Sequence, residues 1–369
     1  MLTCRYHCLG KPAVWTPHPL PHGVPPDTGT YVRDQNGARF PDHPIQLAVQ
    51  ALFALDERFD PSSVDITGCA SSVGDVLRFV RSVDSTFRFD VELVGNTLFL
   101  VRNCKNDVIP DVQGYGHSFL DTFTSFGQDD GKVKSHQRII SYDLAHLKCV
   151  IRFECDGYMA EWDNQSTVLR KPVINLPKLK EPDSINMEEK GMVVPQDSVL
   201  EIKTRAATRG DVEKAEHLPR LWLRQIPFFI NGYHSQGKFV DVRVQNVRED
   251  ITKWETEHQD EIKRLASVLR QLITEVKKAN HLKLELCREG SGPLQLRERE
   301  GTTNKALTDS WERRWIAKPG SEDGSDGDEG DKAYPSARTS SDLSDDSRAS
   351  FSFDYTECSV ECGYCGNCG

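Results

Sequence analysis

Glu201-Ile202-Lys203 lies within Val199-Leu200-Glu201-Ile202-Lys203-Thr204, a stretch that alternates with the period of a strand. Leu200, Ile202 and Thr204 share one face of it, and Val199, Glu201 and Lys203 share the other. Upstream, Ile151 to Tyr158 repeats the arrangement, with Ile151, Phe153 and Cys155 on an apolar face and Arg152, Glu154 and Asp156 on a polar one. Were these strands neighbours, three carboxylates and one ammonium would converge. Clustered acids repel one another unless something positive sits among them, and hard divalent cations with oxygen ligands suit that role. Such ions activate a water and neutralise charge on the attacking and leaving oxygens, while a lysine stabilises the developing anion. The plain alternative is an exposed ion-pair patch on a strand.

The elements that must position these side chains are legible as patterns. The spacing predicts helices over 44–55 (Pro44 in its first turn) and 72–80, and a hairpin of 87–93 with 97–102 across Gly95-Asn96. A short helix over 118–126 and strands over 138–142 and 147–155 follow. Residues 161–197, with prolines at 172, 177, 182 and 195, read as a long excursion between two strands of one sheet. A helix starting near Thr208 to Asp211 carries Leu218, Leu221, Trp222, Gln225 and Ile226. The segments 228–233 and 239–244 read as strands. One long helix over 250–278 bears an apolar stripe without sustained heptads, which predicts packing on the sheet rather than a coiled coil. Residues 1–42, rich in Pro, His and Gly, read as a poorly ordered arm whose His7, His18 and His22, with His43 just beyond, are scattered loop histidines.

The formal net charge is -10, but from Lys318 onward 4 Lys/Arg stand against 12 Asp/Glu, a local -8 that leaves about -2 for the rest. The acidity therefore belongs to the tail and does not argue against a nucleic-acid ligand for the folded part. Eleven cysteines, an odd number, and a start without an apolar stretch predict an intracellular chain, nuclear or cytoplasmic, with no membrane segment.

Taken together, Asp156, an excursion and Glu201-Ile202-Lys203 make the PD-(D/E)XK nuclease pattern. With Glu154-Cys155-Asp156, Leu218-Pro219-Arg220-Leu221-Trp222-Leu223-Arg224-Gln225, Gly232-Tyr233, Gly237 and Val240, the chain resembles the DXO-type decapping exoribonuclease family over roughly residues 65 to 250. The family's EhD and EhK motifs match Glu154/Asp156 and Glu201/Lys203. Its G-Φ-x-x-x-E spacing is met by Gly116-His117-Ser118-Phe119-Leu120-Asp121, with Asp in place of Glu. The resemblance implies a mixed α/β, PD-(D/E)XK nuclease-like core with a central mixed sheet flanked by helices over 43–317. It implies one or two Mg²⁺ or Mn²⁺ ions on Glu154, Asp156 and Glu201, with Asp121 as a helper. Lys203 would be the electrostatic catalyst and Gln225 a substrate or water contact, and Arg205 and Arg209 would contact phosphate. The activity implied is hydrolysis at RNA 5′ ends: removal of defective caps, triphosphates or NAD caps, then 5′-to-3′ degradation. One departure stands out. The family's arginine ahead of the hairpin has no counterpart in Cys69-Ala70-Ser71-Ser72-Val73-Gly74-Asp75-Val76-Leu77-Arg78, where Arg78 or Arg81 are the substitutes at hand. The rival reading is a catalytically degenerate member that keeps the fold to bind RNA or a protein. A prenyl-diphosphate synthase is excluded, because Asp129-Asp130 and Asp345-Asp346 lack the third acid of D-D-x-x-D.

Residues 318–357 read as a disordered acidic linker. Beyond it, Cys358, Cys362, Cys365 and Cys368 place four thiols in eleven residues, a spacing for zinc or an iron–sulphur cluster, or else an ordinary reduced tail. Such a tail would tether a small module for RNA or a protein partner.

Overall fold

The computed structural model describes residues 5–9, 13–32, 34, 40–56, 59–102, 108–126, 136–162, 165–166, 181, 183–184, 194–279, 283–299 and 305–317. The linker, the four tail cysteines and most of the 161–197 excursion lie outside the described residues.

The class is mixed α/β, as the patterns lead one to expect, but the strands form two large sheets rather than one central sheet. The first has eight strands in the order β1 (Arg5–Leu9), β10 (Gln137–Leu144), β11 (Leu147–Glu154), β5 (Ile66–Cys69), β7 (Thr97–Val101), β6 (Phe87–Val94), β18 (Leu284–Arg288) and β19 (Gln295–Glu298). The second has seven: β3 (His22–Gly23), β17 (Lys238–Asn246), β16 (Phe228–Ser235), β15 (Val199–Ala206), β12 (Gly157–Tyr158), β2 (Val14–Trp15) and β9 (Thr124–Ser125). Two small ribbons, β4 (Tyr31–Val32) with β8 (Val108–Ile109) and β13 (Glu161–Trp162) with β14 (Gln165–Ser166), complete the strands.

Side-chain alternation decides which layer each face meets. On β7, Leu98 and Leu100 enter the main core with α2 (Ala70–Val80), α4 (Lys214–Arg224), α5 (Arg248–Glu257) and α6 (Gln259–Ala279). Phe99 and Val101 point the other way, to α1 (Gln46–Leu55) and α7 (Asp309–Ile316). On β15, Val199 joins the main core, whereas Leu200 and Ile202 join Phe119 and Phe123 of α3 (Gly116–Phe123). The central helices thus pack between the two sheets, and Glu201 and Lys203 face them.

Three expectations change. The strand read as 147–155 ends at Glu154, and the chain resumes at Gly157 in the other sheet, so Cys155 and Asp156 form the crossing. The long helix is two: at His258 the ring stacks on Trp254, and its Nδ1 lies 2.8 Å from the Trp254 carbonyl oxygen, competing for a helix acceptor. Finally, part of the arm is built in. Ala13, Trp15 and Val24 are buried, and the Tyr158 N–H donates to Ala13 O at 2.9 Å. A Cβ at Gly157 would stand 2.8 Å from that same Ala13 oxygen, so the absence of a side chain there lets the arm lie flat. No described helix is long and apolar enough to cross a membrane.

Candidate functional site

β15 and β16 run parallel with Lys203 opposite Asn231, and α4 lies over the face carrying Glu201, Lys203, Phe229 and Asn231. His217, Arg220 and Arg224 recur at helical spacing and so look down on that face together. Glu201, 2% exposed, receives all three available cations. Lys203 Nζ lies 3.0 Å from its Oε1, Arg220 pairs with the same oxygen, and Arg224 Nη1 donates to Oε2 at 3.1 Å. Burial alone would push the Glu201 carboxyl up; Arg220, Lys203 and Arg224 outweigh it and hold the group well below the usual carboxylate range.

Asp156 reaches the same place from the crossing. Its Oδ2 accepts from the Ile202 backbone N–H at 2.7 Å. Burial, then the charge of Glu201, pushes its carboxyl up to about 6, against the pull of Lys203, that N–H and Arg220. His217 is driven the opposite way, to about 3, by burial and by Lys203 and Arg220, and is neutral at neutral pH.

Glu154 ends β11 on the other side of Arg224. It lines a narrow cleft with Asp34, Arg102, Arg152, Gln137 and Arg224. Asp34 and Arg152 pair there, and Arg152 Nη2 also donates to Cys69 Sγ at 3.2 Å. A second, larger cleft between α2 and α4 holds Arg78, Arg81, Arg220 and Arg224 against Glu216. The two clefts share Ala70, Ser71 and Arg224.

The structure therefore brings Asp156, Glu201 and Lys203 together, with Glu154 one arginine away. Other expected members stand elsewhere. Asp121 is exposed on α3, across the second sheet from Glu201, and its charge interactions are with His117 and Asp27. The spacing from Gly116 is present, but the helix packs on the Leu200/Ile202 face. Gln225 closes α4 in the left-handed region at φ 53°, and its Nε2 donates to Trp222 O at 2.5 Å, so it serves the helix end rather than the cleft. Arg205 donates to Asp211 O at 3.0 Å, and Arg209 is exposed in the turn after β15; neither lines these two clefts. Arg78 does line the larger cleft, where it also donates to Asp75 at 2.9 Å. Arg220, Arg224 and His217 went unassigned in the sequence, although their spacing on an amphipathic helix already put them on one face.

This donor set does not suit the divalent ion that the pattern implies. Among the described residues no group of three or more His, Cys, Asp or Glu could hold a metal ion. Both Glu201 oxygens already meet cations, and Asp121 is on the far side of a sheet. An ion entering would meet Lys203, Arg220 and Arg224 as like charges.

One titration follows. With its carboxyl raised to about 6 from an ordinary 3.8, Asp156 keeps in the folded chain a proton that the unfolded chain has lost. The contribution of Asp156 to stability should therefore fall as pH rises from about 4 to about 6. Asp156→Asn keeps an acceptor for Ile202 N–H but does not titrate. Its melting temperature should lack that descending limb and exceed wild type at pH 7. Parallel profiles from pH 4 to 8 would contradict the assignment.

Structural comparison gives the fold. Rai1 of Candida albicans, in complex with pU5-Mn2+, is similar with TM-score 0.52 and 12% identity, covering 85% of this chain and 95% of that one. Rai1 of Scheffersomyces stipitis, in complex with (3'-NADP)+ and calcium ion, gives 0.52 and 11% over 83% and 88%. Rai1 of S. pombe, in complex with 3'-FADP, gives 0.51 and 12% over 79% and 88%. At these identities the likeness establishes a shared fold, and it is the DXO-type fold that the motifs lead one to expect. No curated protein sequence matches the chain. A family model matches residues 3–286, which span both sheets up to β18, so the chain belongs to the family described as "Domain of unknown function (DUF8563)".

Proposed function

We propose that the chain recognises RNA by its phosphorylated 5′ end, held in the two joined clefts at the N-terminus of α2. The observation that carries this reading is the lining: Arg78, Arg81, Arg102, Arg152, Arg220 and Arg224 border the clefts of a chain whose net charge is -10. Guanidinium forks match phosphate oxygens, and the first N–H groups of α2 face the same way, with no side chain capping them. The RNA and nucleotide-like ligands of the Rai1 structures support the ligand class. This is the binding member of the two alternatives open in the sequence. A second reading, hydrolysis of the bound end, is favoured by Asp156, an acid raised to about 6 beside Lys203, as proton-transfer groups often are.

The test uses fluorescence anisotropy with oligouridylates that carry a 5′ monophosphate, triphosphate or hydroxyl. Phosphorylated ends should bind about tenfold or more tighter than the hydroxyl end, the worth of one charge-assisted contact, and the gain should shrink with salt. Arg78→Ala with Arg81→Ala should reduce it. Equal affinity for all three ends would overturn the reading. Denaturing gels of the same samples decide between binding and hydrolysis: intact RNA keeps the first reading, shortened RNA installs the second.

A further inference from the structure

We infer that Arg220 and Arg224, with Lys203, occupy in this chain the place beside Asp156 and Glu201 that a divalent ion would take, so that the acid pair is neutralised without a metal. Lys203, Arg220 and Arg224 all pair with Glu201, and Asp156 feels the charges of Lys203 and Arg220. Glu201 presents two oxygens; one lies at ion-pair distance from an ammonium and a guanidinium, the other accepts from a guanidinium, so an ion approaching either oxygen would meet a like charge already beside it.

The arginines are also fixed in place. Arg224 is 3% exposed, its guanidinium lies 5.8 Å from the Phe153 ring centroid, and its carbonyl accepts from Gln196 Nε2 at 3.0 Å. Between the two arginines, Leu221 and Trp222 are buried in the main core and set the rotation of α4. A guanidinium does not give up its proton, so neither group can become neutral to admit an ion. Arg224 also borders both clefts, so the residue that neutralises Glu201 is one that a bound phosphate would meet. The site then takes a phosphorylated end with or without divalent ions. That last statement rests on the RNA-end reading; the exclusion of metal does not.

The experiment separates the two. Full-length protein is titrated with Mn²⁺, and the free ion is followed by its electron paramagnetic resonance signal. Wild type should leave the signal unchanged up to millimolar ion. Arg220→Gln with Arg224→Gln should take up Mn²⁺ on the order of tenfold or more tighter, the size of effect seen when groups around a metal ligand are changed. Arg220→Gln alone, at the more exposed of the pair, should give part of the gain and guards against a double variant that does not fold. Anisotropy with the 5′-monophosphorylated oligouridylate should be the same in EDTA and in Mn²⁺. Stoichiometric Mn²⁺ uptake by wild type that Glu201→Gln abolishes overturns the inference. So does a folded arginine variant that gains no Mn²⁺, since the arginines would then not be what excludes it. Absence of RNA binding in either buffer, with the Mn²⁺ results as expected, sinks the RNA-end reading and leaves the metal-free cluster standing.

Discussion

Glu201→Ala should lower the stability of the folded chain by about 3–5 kcal/mol, the cost of removing one side of a buried charge pair. Lys203, Arg220 and Arg224 would be left facing one another across a space that Glu201 now fills. Lys203 can relieve the repulsion by losing its proton, whereas the two guanidinium groups cannot. Only Arg220, about one-fifth exposed, has water close at hand. Lys203→Met should cost less, since two arginines still compensate the carboxylate. Against a typical total of about 5–15 kcal/mol, the alanine variant should melt at a temperature lower by on the order of 10 °C. Denaturant unfolding of the two variants beside wild type checks the order. A Glu201→Ala variant within about 1 kcal/mol of wild type would mean that the arginines move out to solvent freely, contrary to the packing of α4.

The second large effect lies beyond the family match, which ends at residue 286. Helix α7 is outside it and yet completes a core. Trp311 and Trp315 are buried against Phe53, and Trp315 also meets Phe99, at a ring-centroid separation of 5.1 Å. The indole N–H of Trp315 donates to Thr97 Oγ1 at 3.0 Å, and the Ala306 N–H donates to Glu92 at 2.6 Å. Trp311→Ala should cost about 3–5 kcal/mol by transfer and cavity formation together. A chain ending at Arg299 loses both tryptophans along with Ala306 and Leu307, and uncovers the outer face of the eight-stranded sheet. It should be recovered mostly insoluble, or with its near-ultraviolet dichroism lost and a dye for exposed apolar surface bound. A chain ending at Lys318 should behave as wild type. Wild-type melting of the shorter chain would show that α7 is dispensable.

How far such features can be read from sequence depends on whether they are local. The faces of Glu201 and Lys203 follow from a period of two, and that period survives in any sheet. The hairpin at Gly95-Asn96 and the helix expected over 72–80 are equally local, and both are present, the helix beginning two residues earlier at Ala70. Asp121 shows the limit. Its spacing from Gly116 is a property of the chain, but the side of the sheet on which its helix docks is set by Phe119 and Phe123 meeting Leu200 and Ile202. The crossing at Cys155 and Asp156 was hidden because alternation continues through it unbroken. The break at His258 carries no proline or glycine. Within the arm, strands of two residues such as Val14–Trp15 are too short to show a period. The arginines of α4 were visible as a stripe, but which acid they meet is decided by packing between sheets.

The crossing has a mechanical consequence. Within two residues the backbone leaves a strand of one sheet and is hydrogen-bonded into the other, and Asp156, in between, is tied to the Ile202 amide. No slack is left for the two layers to slide or spread at this point. The two sheets are thus tied to each other by main chain next to Glu154, which borders the smaller cleft.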